Sequence, residues 1–142
     1  MIVVDASVAV KWLVPEADED AAERILVEEP QLVGPALLRV EVASAVARKA
    51  RFREIGREQA EAAVAAWVAM LGRPEVTLIS EDPDLPRALE LALELDHPLQ
   101  DCVYLSLAER FEATLVTADE KFAAKARRHH PRIRALSSYR PK

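Results

Sequence analysis

The chain has a single cysteine, three glycines in 142 residues, no basic excess and no long apolar run. Each shortage excludes something. With Cys102 as the lone thiol no internal disulfide can form, and the N-terminus lacks the basic flank, apolar stretch and small-residue cleavage site of a signal peptide, so a reducing cytoplasm is the expected setting. No apolar stretch approaches the ~18 to 20 residues that a membrane-spanning helix needs, the longest candidates being broken by Arg, Glu or Lys, and no membrane partner is expected. There is also no internal repeat, low-complexity tract or long linker. What remains is 51% hydrophobic residues, ample for one packed core, and residues 1–142 are expected to form one domain.

A net charge of −5 argues, taken alone, against a polyanionic partner. Its distribution says more than its sum. Acid gathers in Glu16, Asp18, Glu19, Asp20, Glu23, Glu28 and Glu29, whereas base gathers in Arg48, Lys49, Arg51, Arg53 and Arg57 and again from Lys121 to Arg134. Both basic zones also suit ordinary solvated helix faces.

Ile2 to Val4 and Thr114 to Thr117 are short β-branched runs that read as buried strands, with weaker strands at Gln31 to Val33, Val76 to Ile79 and Ile133 to Leu136. Helical period covers about 7–13, 18–28, 36–51, 57–71, 84–95, 99–111 and 119–129. Prolines 15, 30, 35, 74, 83 and 98 fall between or at the starts of these stretches, where a missing N–H is harmless. Strands alternating with helices predict an α/β fold with a parallel sheet covered on both faces.

Four acidic residues stand where an apolar element holds them still. Asp5 follows a strand and precedes Ser7 and a helix, a position that suits both an N-cap and the ligand end of an α/β sheet. Glu41 has Leu37, Leu38, Ser44 and Ala45 as helical neighbours, so a surface explanation needs an Arg or Lys from elsewhere. Asp101 enters in the first turn of the helix begun after Pro98, and Tyr104, Leu105 and Ala108 share its face. Asp119 lies beyond the second strand, where Thr117 with Glu120 fits a capping box and leaves Asp119 free. Like charges at about 4 Å repel by ~1 kcal/mol in water and ~4 kcal/mol at the effective dielectric near protein, so converging carboxylates need protons or a cation. Oxygen ligands without Cys or His suit Mg²⁺ or Mn²⁺ rather than zinc.

The segments IVVDASVAVKW, LLRVEVASAVAR, HPLQDCVYLSLAER and TLVTADEKF, in that order from about Ile2 to Phe122, resemble the PIN-domain family and in particular its VapC-like toxins. The resemblance implies a three-layer α/β/α sandwich with a central, mostly parallel sheet and metal-dependent endoribonuclease activity. It places Asp5, Glu41, Asp101 and Asp119 as catalytic and metal-holding residues, with Ser7 and Thr117 in support. RNA as substrate, a small cognate antitoxin and a homodimer follow as implied partners. The acidic balance departs from the pattern, as does Gln100, which stands where an aromatic is frequent.

Other residues have simpler readings. Cys102 is expected to be a buried apolar residue. His97, His129 and His130 read as surface residues that assemble no metal motif, since adjacent histidines on a helix diverge and no partner is expected three or four residues away. Arg48, Arg51, Lys121 and Lys125 are the candidates for holding RNA phosphates. Trp12 and Trp67 could stack on bases, although Trp67 better suits packing. Two competing functions are a non-catalytic module whose acidic pocket receives a basic partner segment, and a phosphate-accepting receiver-like domain. The second fails because the first strand offers one Asp and no middle strand ends in one.

Overall fold

A computed structural model describes residues 1–140. Five short strands, β1 (Ile2–Val4), β2 (Leu32–Pro35), β3 (Val76–Ile79), β4 (Thr114–Thr117) and β5 (Ile133–Ala135), form one all-parallel sheet in the order β3-β2-β1-β4-β5. Ile2 pairs with Leu32 on one side and Thr114 on the other, so β1 is central and buried throughout. This explains its unbroken β-branched sequence, because a strand covered on both faces has no polar side to show.

Seven helices connect the strands: α1 (Ala6–Ala9), α2 (Glu19–Glu28), α3 (Leu37–Arg51), α4 (Arg57–Leu71), α5 (Leu85–Leu95), α6 (Leu99–Arg110) and α7 (Glu120–Ala126). The path β1 to β2 to β3 runs one way across the sheet, and β3 to β4 to β5 runs back. Right-handed crossovers therefore put the two sets of helices on opposite faces, giving the expected three layers. The order reverses between β1 and β4, which opens a crevice at their carboxyl ends.

Packing fixes the helices that matter for the site. α6 lies against β1, β2 and β4, and Cys102 to Ala108 are all buried. α3 sits close to β2 because Gly34 has no side chain: a Cβ there would stand 2.5 Å from Leu38 Cδ2. Trp67 is buried in α4 and donates its indole N–H to Arg39 O, so it belongs to the core. Trp12 donates to Ala22 O, holding the start of the chain against α2.

Most expected elements stand where periodicity placed them, with changes at their ends. The helix over 7–13 divides into α1 and a 3₁₀ turn at Val10–Trp12, and the one over 119–129 shortens to α7, with His129 and His130 in a turn before Pro131. No described helix is long and apolar enough to cross a membrane.

Candidate metal centre

Asp5 sits at the end of β1 and does two jobs. Its side chain caps α1 by accepting from Val8 N at 3.3 Å, and it also accepts from Ser7 Oγ. Ser7 Oγ in turn accepts from Ala118 N at 2.9 Å and lies 3.4 Å from Thr117 Oγ1, tying the end of β1 to the end of β4. Asp5 is 6% exposed. Burial, and behind it the negative charge of Asp101, push its carboxyl up to about 6, although the hydroxyls of Ser7 and Thr117 favour its ionised form.

Glu41 projects from α3 one turn beyond the Leu38 contact. It is half-buried and accepts a 2.6 Å hydrogen bond from Tyr104 Oη of α6. Burial pushes its carboxyl up, and the charge of Asp101 adds to this. Asp101 is thus the hub, felt by both Asp5 and Glu41. Among the described residues no Lys or Arg forms an ion pair with any of these three carboxylates.

Asp101 has a partner of a different kind. α5 ends at Asp96 in the left-handed conformation (φ 49°), and the chain then passes through His97 and Pro98 into α6. This turn brings His97 Nε2 to 2.6 Å from Asp101 Oδ2, four residues on. The imidazole is stacked on Phe122 with ring centres 4.4 Å apart, and Lys125 Nζ lies 3.4 Å from Nδ1. Potential ligand atoms of His97, Asp101 and Asp119 all fall within 4.8 Å of one another.

Several expectations are corrected here. His97 is no surface residue: its side chain is 13% exposed, and it does have a partner at the fourth residue on, Asp101. His130 is also largely covered, its Nε2 lying 3.6 Å from Glu109, whereas His129 is exposed. The cap of α7 is Asp119 and not Thr117. Asp119 accepts from Phe122 N at 3.0 Å, while Thr117 stays in β4 and accepts from Asp119 N at 3.1 Å. A strand residue cannot also be the N-cap two positions later. Nor are the four acids equally enclosed: Asp5 is buried, Glu41 half-buried, Asp101 has a 37% exposed side chain and Asp119 is exposed. Asp119 forms the rim.

An open groove of about 820 Å³ leads from these residues along α3, lined by Ser7, Glu41, Arg48, Phe52 and Asp119 among others. Arg48 borders the groove and is exposed, and Arg51 and, on α7, Lys121 are exposed as well. Lys125 is held by Asp96 O and His97, so it serves the turn before α6. Cys102 is buried as expected, and desolvation pushes its thiol up to about 11.

Residues 2–128 match the PIN domain. This chain belongs to the PIN domain family. It is 32% identical over 124 residues to Ribonuclease VapC1 of Mycobacterium tuberculosis, covering 86% of this chain and 88% of that protein. Among solved structures, the PIN domain here superposes on M. tuberculosis VapC20, described as a Sarcin-Ricin loop cleaving toxin, with a TM-score of 0.69 and 18% identity, covering 87% of this chain and 94% of the other. A toxin-antitoxin complex from Klebsiella pneumoniae gives a TM-score of 0.66 at 15% identity, covering 96% and 98%. At these identities the two structures speak for the fold.

Proposed function

We propose that this PIN domain is a metal-dependent endoribonuclease and the toxin of a toxin-antitoxin pair. One observation carries the reading: Asp5 and Glu41, from two different elements, both feel the negative charge of Asp101 from a third, which together with burial disfavours their ionisation, and among the described residues no Lys or Arg pairs with any of the three. A divalent cation fits that set. Asp5, Glu41, Asp101 and Asp119 would hold Mg²⁺ or Mn²⁺, hard ions suited to carboxylate oxygens. When bound, such an ion supplies an activated water and polarises a phosphoryl oxygen.

The protein's own groups provide order. Ser7 and Thr117 orient Asp5, Tyr104 orients Glu41, and His97 orients Asp101, so each carboxylate is fixed before substrate arrives. Cys102 offers no alternative nucleophile, because its thiol is buried and held neutral. Water is the remaining candidate.

RNA as substrate is supported by the match to a curated ribonuclease, and a small antitoxin partner by the Klebsiella complex of the same fold. A homodimer and a cytoplasmic setting complete the proposal. Purified protein is expected to cleave RNA with Mg²⁺ or Mn²⁺, and to lose that activity in Asp101→Asn with an unchanged far-UV circular dichroism spectrum. Undiminished cleavage by that variant, or in excess chelator, would overturn the mechanism.

A further inference from the structure

The face of α3 that lines the groove changes character along its length. Glu41, Ser44, Ala45, Arg48 and Phe52 follow at three, four, seven and eleven residues, so they share one side of the helix, and all five border the groove. At 1.5 Å per residue, Phe52 lies roughly 16 Å along the axis from Glu41. The near end is acidic, the middle is small, and the far end is cationic and aromatic.

The cations at that far end are not equivalent. Lys11 and Lys49 lie 3.1 Å and 2.5 Å from Glu16, and their charge is already answered. Arg48 and Arg51 form no ion pair among the described residues. Their guanidinium carbons lie instead 5.7 Å and 6.0 Å from the centre of the Phe52 ring. That ring is 64% exposed, and among the described large apolar side chains that are exposed it alone borders this groove. Two guanidiniums that lack a carboxylate partner among the described residues and lie over an exposed aromatic suit a ligand that is planar and anionic together, whose phosphates draw the guanidiniums off the ring as its base takes their place. An apolar peptide would use the ring and leave the charges idle.

We propose that Phe52 is a base-stacking platform for single-stranded RNA, with Arg48 and Arg51 taking the phosphates on either side of the stacked base. The assignment rests on the ribonuclease reading and extends it, since the strand then runs from the carboxylates, over Ser44 and Ala45, to Phe52. Every base has a π-face, so this contact anchors the strand without choosing its sequence.

Binding of a fluorescent, roughly ten-nucleotide single-stranded RNA to the full chain, followed by anisotropy in EDTA, tests this contact with cleavage switched off. Phe52→Leu is expected to weaken binding about five- to a hundredfold, and Phe52→Trp to retain it. Arg48→Ala should weaken binding and reduce the slope of log affinity against log salt by about 0.7. Because Phe52 is exposed, its variants should keep the wild-type melting temperature. Wild-type RNA affinity in Phe52→Leu, or equal loss in Phe52→Leu and Phe52→Trp, overturns the platform. If Phe52→Leu binds RNA normally while Asp101→Asn abolishes cleavage, the platform alone fails. If the wild-type protein neither binds nor cleaves RNA, the ribonuclease reading fails with it. Loss in Phe52→Leu of binding to a protein partner, with RNA binding intact, also overturns the assignment.

Discussion

Among the described residues two acidic side chains are buried, Asp84 at 2% exposure and Asp5 at 6%, and the fold treats them differently. Asp84, ahead of α5, receives Arg110 Nε at 3.0 Å and Nη2 at 2.9 Å, a two-pronged pair, with Ser106 close by. Asp5 has hydroxyls and a backbone N–H but no cation, and its nearest charged influence is another carboxylate. Burial alone therefore does not mark a metal centre. What sets Asp5 apart is that, among the described residues, no Lys or Arg answers its charge.

The comparison predicts opposite responses at the two places. Asp101→Asn should lower metal-dependent cleavage by roughly a thousandfold, several kcal/mol of transition-state stabilisation, and leave the melting temperature unharmed. Arg110→Ala should do the reverse. Breaking the Asp84 pair should destabilise the fold by about 3 kcal/mol, the lower end for a buried pair because Arg110 is about one-third exposed, with cleavage per folded molecule retained. Urea titrations beside initial cleavage rates at low temperature measure both. If Arg110→Ala abolished cleavage while still folded, the division between a structural and a chemical aspartate would collapse.

A smaller effect comes from pH. The carboxyl of Asp5 titrates near 6 in the fold against an ordinary value of 3.8. The folded state then binds a proton that the unfolded state releases, so this contribution is fully present below about pH 4 and is lost as pH rises through about 6. In EDTA, wild-type protein should lose on the order of 2 kcal/mol relative to Asp5→Asn between pH 4.5 and 7.5. Glu41 shifts in the same sense. Mg²⁺ or Mn²⁺ at pH 7.5 should restore stability to wild type and not to Asp5→Asn. Parallel pH profiles for the two proteins would show that Asp5 is already compensated from within, as Asp84 is.

Asp84 also shows where the sequence stops being informative. The runs Ile2–Val4 and Thr114–Thr117 declare themselves as strands because short β-branched segments bounded by turn residues have few other uses, whereas Val76–Ile79 is a weaker signal of the same kind. Glu41 is legible because helical period exposes its apolar neighbours. Nothing near Asp84 announces Arg110, which stands 26 residues away and meets it only through the packing of α5 on α6. For the same reason the Tyr104 to Glu41 bond, spanning 63 residues, lies beyond periodicity. His97 is different. Its spacing to Asp101 was present in the sequence, but it acquires meaning only once the left-handed Asp96 and the start of α6 turn the ring towards the carboxylate.

His97 offers the finest division of the two aspartate environments, because it supports an acid without neutralising it as Arg110 does. The Lys125 ammonium at Nδ1 makes that nitrogen the acceptor, so Nε2 carries the proton and donates to Asp101 Oδ2. A histidine in this role aims the carboxylate for a cation. His97→Ala should therefore weaken Mn²⁺ binding by about tenfold, the lower end for such supporting groups, without the loss of stability expected at Arg110. His97→Gln, whose amide can donate to the same oxygen, should recover part of the affinity. Calorimetric titration of Mn²⁺ into the three proteins separates the cases. Unchanged affinity in His97→Ala would mean that α6 alone orients Asp101, whereas tighter binding would mean that the histidine, like Arg110, was competing with the metal for its aspartate.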